Sequence, residues 1–334
     1  MTDRSADPDY DPLKDSTIGR RSWLARFSAW RDRGLPRGLG GVVVLILVVM
    51  ALYYPVGMLI AHKVDDDPYF QVQVEGGRSA AIATAAALIR REVEQNGWKA
   101  NNPWFFPSYP LDNMPNFQQG IIGSLSRFAI EMTDHIGRVR GSSQQDGDLD
   151  TAAGLLKYRG DVWVFNFSTS LMPTATSEAQ YRAAATALER YNERLAAGQA
   201  VFERRADNLE ITLGRIAADL GSLSAALDSA NDDLGSYSFL ADDVFYQTKG
   251  RLYGYWKLLQ ALRLDYNNVL AERSLQAVWA QMEESMKEGA TMDPLIILNG
   301  SSDSIIIPSH LAAQGFYLLR ARTRLLEIAD VLRK

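Results

Sequence analysis

Residues 202–234 read FERRADNLEITLGRIAADLGSLSAALDSANDDL, in which Phe202, Ala206, Leu209, Leu213, Ile216, Leu220, Leu223, Leu227, Ala230 and Leu234 fall at alternating spacings of four and three. This is a heptad seam of more than four heptads, a continuous apolar stripe along one face of an α-helix that some other surface must cover. A second subunit could supply the cover. A partner nearer to hand is the stripe Val244, Thr248, Leu252, Tyr255, Leu259, Leu262, Tyr266 and Val269, beyond a turn at Gly235 to Ala241, and it predicts an intramolecular antiparallel hairpin.

The neighbouring stretches extend the helical pattern. Upstream, Ser177 to Gly198 predicts a helix opened by a capping box of Ser177 and Gln180, with Tyr181, Ala184, Leu188, Tyr191 and Leu195 on one face. Val162 to Phe167, VWVFNF, is β-prone but short and lacks a hairpin partner, and Gly141 to Asp148 reads as a flexible turn. Phe117 to Val139 repeats Ile121, Leu125, Phe128, Met132 and Ile136 at helical spacing. Trp98 to Asn116, WKANNPWFFPSYPLDNMPN, has four prolines that forbid regular helix and an aromatic cluster too apolar to stay solvated, so it is expected to pack down as an ordered loop. Ser79 to Asn96 is an alanine-rich helix closed by Gly97, and Tyr69 to Val74 alternates like a short extended segment. Downstream, Leu275 to Met286 either adds a helix or prolongs the hairpin. Thr291 to Pro308 is non-helical around an Asn-Gly-Ser-Ser turn, and Ser309 to Leu332 closes the chain with a face of Leu311, Leu318, Arg322, Leu325, Ala329 and Leu332.

Val42 to Ala61, VVVLILVVMALYYPVGMLIA, contains no charge, and its 20 residues make a helix of roughly 30 Å, the thickness of a bilayer's hydrocarbon core. The expected organisation is a disordered cytoplasmic tail over 1–19, a basic amphipathic juxtamembrane segment over 20–40, a transmembrane helix over 41–62 and a helical domain over 63–334. Together these give a mainly α fold, a single transmembrane helix followed by an elongated helical bundle with a long hairpin. Arg20, Arg21, Arg26, Arg31, Arg33 and Arg37 precede the span and Asp65, Asp66 and Asp67 follow it, an asymmetry that puts the amino terminus in the cytoplasm. Among those arginines, Trp23, Phe27 and Trp30 fall at i, i+4, i+7 on one helical face and suit a short helix in the headgroup layer, so the bilayer itself is an expected partner. Tyr53, Tyr54 and Pro55 could mark contact with another membrane helix, or merely a kinked anchor. Up to Lys63 there are 9 basic and 6 acidic groups, a charge of plus 3; beyond it there are 26 and 34, a charge of minus 8. So acidic a domain argues against a nucleic-acid partner. The absence of cysteine removes disulfides, thiol nucleophiles and thiolate metal sites.

Chemical signatures are few. His62, His135 and His310 form no zinc-ligand spacing, and there is no nucleophile elbow, P-loop or dinucleotide fingerprint, so no catalytic residue, metal or cofactor is expected. Asp146, Asp148 and Asp150 begin like a calcium loop, but Thr151 and Lys157 occupy the positions that need Gly and Glu. Asp65 to Asp67 reads as solvated charge, and Asp242 with Asp243 as a carboxylate pair or a complement to a helix dipole. Gly123-Ser124-Leu125-Ser126 and Gly221-Ser222-Leu223-Ser224 suggest close helix packing rather than catalysis. The candidate partner or ligand surface comprises Asp112, Asn113, Asn116, Asp242, Asp243 and Asn299, with the two non-helical stretches expected to meet at one end of the bundle.

The strings Leu111-Asp112-Asn113-Met114-Pro115-Asn116, Arg205-Ala206-Asp207-Asn208-Leu209, Asp242-Asp243-Val244-Phe245-Tyr246 and Ile297-Leu298-Asn299-Gly300 resemble those of an uncharacterised proteobacterial family, domain of unknown function 2333. The resemblance runs from the span almost to the carboxyl terminus and implies a Gram-negative inner-membrane protein, with no residue role to carry over. The sequence reading is thus a periplasmic envelope scaffold or adaptor for an unidentified envelope protein, or else a binding protein or enzyme for an envelope polymer or lipid.

Overall fold

The structure is a computed structural model and describes residues 37–136, 145–165, 172–233, 239–300 and 308–334. The expected tail over 1–19, most of the basic segment over 20–40, half of the turn over 141–148 and parts of the turns over 235–241 and 291–308 lie outside these residues. Among the described residues there are ten α-helices: α1 Arg37–Ala61, α2 Ala80–Arg90, α3 Asn113–Glu131, α4 Gly147–Leu156, α5 Ser177–Ala196, α6 Ala206–Asp233, α7 Phe239–Asp265, α8 Asn267–Glu272, α9 Gln276–Ala290 and α10 His310–Arg333. Single π-helical turns, Arg91–Gln95 and Met132–Ile136, extend α2 and α3. No strand forms among the described residues, and 162–165 is irregular chain whose Val162 and Val164 carbonyls accept from Ser177 and Thr174.

The chain divides into two units, residues 1–57 and 58–334. Within the first lies most of Gly40–Ala61, a helix of mean hydropathy 2.6, long and apolar enough to cross a membrane, with none of its apolar window buried. Within the second, α7 is the central element. Every residue from Leu252 to Leu259 is buried, because α2, α3 and α9 cover it on different sides while α6 and α10 touch it too. The α3–α7 crossing is close since small residues line it. A methyl group added at Gly120 would collide with the Gln247 carbonyl, at Gly250 with that of Phe117, and at Gly254 with the Ser124 hydroxyl. The expectation that Gly123 and Ser124 serve helix packing holds here, as it does at Gly221, where the missing side chain makes room for Arg322.

The heptad seam is buried within the chain, Leu209, Leu213, Leu220 and Leu227 being fully enclosed. Its main cover is not the following helix, as the hairpin reading expected, but α10, which lies antiparallel to α6. Arg333 reaches Glu210 at 2.6 Å, Arg322 Nε donates to the Ala217 carbonyl at 3.1 Å, and Ser309 bonds Asn231 at 2.5 Å, so the start of α6 meets the end of α10. The arginine that interrupts the α10 stripe is therefore part of this contact. α7 is committed to α2, α3 and α9, and its contact with α6 is smaller.

Several boundaries differ from expectation for local reasons. Asn113–Asn116 begin α3 rather than ending a loop, since Pro115 sits in the first turn where its missing N–H costs nothing. Gly147–Leu156 is a helix, opened by Asp146, whose carboxylate accepts the amides of Asp148 and Leu149. Asp146 and Asp148 also hold Arg194 at 2.6 and 2.7 Å, which is the use of the carboxylates that mimic a calcium loop. The α5 cap is Thr176, accepting from Ala179, while the Ser177 hydroxyl is buried and donates to the Arg159 carbonyl. α9 is a separate helix, divided from α8 by Ser274 at φ 55°.

Candidate functional site

Five of the six candidate residues come together where α3 and α7 begin. Asp112 immediately precedes α3, Asn113 and Asn116 lie in its first turn, and Asp242 and Asp243 lie in the opening turns of α7. Asn116 Nδ2 donates to Asp243 Oδ1 at 2.7 Å. The Asn113 amide, oriented to suit both neighbours, donates to Asp242 Oδ2 at 2.7 Å and to Asp112 Oδ1 at 2.8 Å. Two amides thus separate three carboxylates. The arrangement leaves residual repulsion: burial, then the charges of Asp112 and Asp243, push the Asp242 carboxyl up to about 6. Burial and Asp112 also raise Asp243, against the lowering effect of Asn116. Burial lifts the Tyr246 phenol to about 12, helped by Asp242 and by Asp293 from the second non-helical stretch, so that stretch bears on the cluster through its charge.

Asn299 is held elsewhere. It is buried, and its Nδ2 donates to the carbonyls of Ala230 and Asn231 at 3.2 and 3.3 Å, which are acceptors left over at the end of α6. An isolated antiparallel bridge to Ser309 fixes its backbone. The role is that of a helix cap supplied from a distance.

The proline-rich loop over 98–112 is ordered by successive turns, Phe106 N to Pro103 O at 2.9 Å and Tyr109 N to Phe106 O at 3.1 Å among them. Its aromatic tip does not pack down as expected. Trp98 is buried, with its indole N–H on the Gly160 carbonyl at 2.7 Å, whereas Trp104 is 69% and Tyr109 59% exposed. Phe105 joins Trp104, Phe106 and Trp163 with ring centroids 5.7, 5.2 and 5.6 Å away. Closely placed prolines fix this conformation, and aromatic rings gathered on one another need less cover from the core. Leu111 N on Ser108 O links the tip to the carboxylate–amide cluster, so the two form one continuous stretch of chain.

A second polar assembly was not legible in the sequence. Asp65 and Asp66 are not solvated charge, whereas the Asp67 side chain is exposed as expected. Asp66 pairs with Lys249 at 2.8 Å, Asp65 lies 3.6 Å from Arg91, and the Asp67 carbonyl accepts from Tyr253. Arg91 and Lys249 are 3% and 1% exposed, so these are buried cations that need their partners. Glu92, fully buried against Arg91 and Gln118, has its carboxyl raised by burial. A periodic pattern marks such lysines and arginines as surface, and only the contacts reveal otherwise.

Amides and carboxylates at hydrogen-bonding distance beside exposed aromatic rings present donors, acceptors and apolar area together. Among the described residues no three His, Asp or Glu side chains are grouped so as to hold a metal ion. No curated protein and no solved structure matches the chain. A family described as an uncharacterised protein conserved in bacteria, DUF2333, matches residues 39–238 and 237–334, which is most of the length and includes all six candidate residues. The chain belongs to the DUF2333 family.

Proposed function

We propose that this protein is a single-pass inner-membrane protein, amino terminus in the cytoplasm, whose helical domain acts in the periplasm as an adaptor for an envelope protein. The observation that carries the reading is the helix Gly40–Ala61, apolar throughout and with none of its window covered by protein. Twenty-two residues of such surface are costly in water and suited to hydrocarbon. The arginines before it and the aspartates after it give the orientation. The adaptor role is supported by the exposed aromatic tip beside the carboxylate–amide cluster, since Trp and Tyr with a polar rim are what protein interfaces favour.

Fusions after Lys334 test the first half: alkaline phosphatase should be active there and a fluorescent protein dark, and the opposite result overturns the localisation. For the second half, the full chain is solubilised in detergent and used to capture partners from its own membranes. Trp104→Ala with Tyr109→Ala should abolish capture while melting stays within about 2 °C, because exposed side chains contribute little to stability. The raised carboxyl of Asp242 favours a second reading, a binding protein for an envelope polymer. Co-sedimentation with purified peptidoglycan, unaccompanied by any captured protein, would replace the adaptor by that reading.

A further inference from the structure

Residues 71–75 form neither helix nor turn, and their side chains alternate between exposed and half-buried, the pattern of an extended chain. Val72 and Val74 turn inward, Val74 packing against the core together with Phe70, while Gln71 and Gln73 are exposed. In an extended chain whose side chains point in and out, the N–H and C=O groups point sideways. Space lies on both sides here. A groove of about 750 Å³ is lined by this segment and by Arg204, Lys257 and Leu264, and a second of about 420 Å³ lies between Gln73 and Ala87. Among the described residues the backbone of Gln71, Val72, Gln73 and Val74 makes no hydrogen bond. A stretch of unpaired backbone beside a groove is a template on which a strand can add.

The charge in the larger groove narrows the occupant. Two of its three carboxylates are engaged, and the third, Glu75, is exposed and lies 3.6 Å from Arg78. Asp265 accepts from the Ser79 hydroxyl at 2.7 Å and from the amides of Ala80 and Ala81, while Glu283 holds Arg263 at 3.1 Å and the Trp279 indole at 2.9 Å. Lys257 differs. It is almost wholly buried, lies over the Trp256 ring at 3.9 Å, donates to the Pro68 carbonyl at 2.7 Å, and makes no ion pair among the described residues. Burial lowers its ammonium to about 8, opposed by the charge of Asp67 and helped by that of Arg91.

We propose that this groove binds an extended acidic peptide segment of a partner protein, which adds as a strand to residues 71–74 and directs a carboxylate to Lys257. The backbone edge supplies affinity without reading sequence, and the lysine supplies the preference for acid. The site is separate from the aromatic tip, so it stands whether or not that surface is the adaptor's.

The test uses the full chain in detergent and a fluorescein-labelled peptide, VTVDVTV, followed by anisotropy. The peptide should bind, and VTVNVTV should bind about tenfold more weakly, the worth of one charge-assisted hydrogen bond. Lys257→Met should erase that preference. Methylating alternate amide nitrogens of the peptide should abolish binding in one register and spare it in the other, because only one edge of the probe pairs. Val72→Pro and Gln73→Pro each remove one donor, on opposite edges of the segment; the one that faces the larger groove should lose the peptide and the other keep it, both melting as the parent does. No binding up to about 1 mM, equal binding of both methylated registers, or an Asp preference that survives Lys257→Met would overturn the proposal. If a proline variant unfolds, the methylated peptides, which leave the protein untouched, decide.

Discussion

Asp242 carries a charge that the folded chain disfavours. Its carboxyl moves from 3.8 to about 6 because it is buried and faces Asp112 and Asp243. A folded-state value above the unfolded one means that the native protein holds the proton more tightly, so stability falls as pH rises through that window. The penalty is absent below the unfolded value and complete above the folded one. Asp242→Asn keeps an oxygen for Asn113 and removes the charge. It should raise the melting temperature by about 2 to 4 °C near pH 7.5, a gain that fades toward about pH 4. Parallel melting curves across that range would show that another group carries the repulsion. The residue types of the cluster were legible, since Asn and Asp in a proline-rich stretch and paired Asp at a helix start both stand out. What could not be read was that Asn116 meets Asp243 across 127 positions. Nor does a sequence distinguish Asn113, beside those charges, from Asn299, which caps the distant end of α6.

The elements themselves were mostly visible, because helices α2, α3, α5, α6, α7, α9 and α10 each carry an apolar face at helical spacing. Their partners were not. A stripe declares that it must be covered and is silent about by what, so α6 looked made for α7 although α10 offers an equally long stripe. α4 was hidden because its opening, Asp146 to Asp150, has the composition of a turn, and a capping carboxylate and a loop carboxylate look alike. The small residues did foretell a close crossing, and that crossing can be measured. Gly250→Ala should cost about 1 to 3 kcal/mol in urea unfolding, since the added methyl meets the backbone of Phe117, which cannot swing aside. Gly214→Ala, in α6 with nothing within 4 Å of the new methyl, should instead stabilise by up to about 1 kcal/mol. Equal effects at both positions would mean that α3 and α7 do not approach as described.

At the scale of the molecule, the segment that follows the apolar helix belongs to the folded core. Only three residues separate Ala61 from Asp65, and from there to Phe70 the chain is clasped by Arg91 of the π-helical turn and by Lys249, Tyr253 and Lys257 of α7. The Arg91 guanidinium also lies 4.8 Å from the Phe70 ring centre and 4.9 Å from that of Tyr253. Charges after a span ordinarily matter only for topology, and on that view Asp66 and Asp67 would be interchangeable. The contacts distinguish them. Asp66 neutralises Lys249, which is 1% exposed, whereas the Asp67 side chain is exposed and it is its backbone carbonyl that Tyr253 uses. Asp66→Ala in the full chain should therefore lower unfolding stability by about 3 kcal/mol, because it leaves a buried ammonium unpaired. Asp67→Ala should stay within about 0.5 kcal/mol. Reporter fusions after Lys334 should read the same in both variants, since seven arginines still precede the apolar helix. Equal stability of the two variants would return these aspartates to the role of surface charge. A shared change in topology would instead make them part of the orientation signal, and the clasp would then be incidental to the fold.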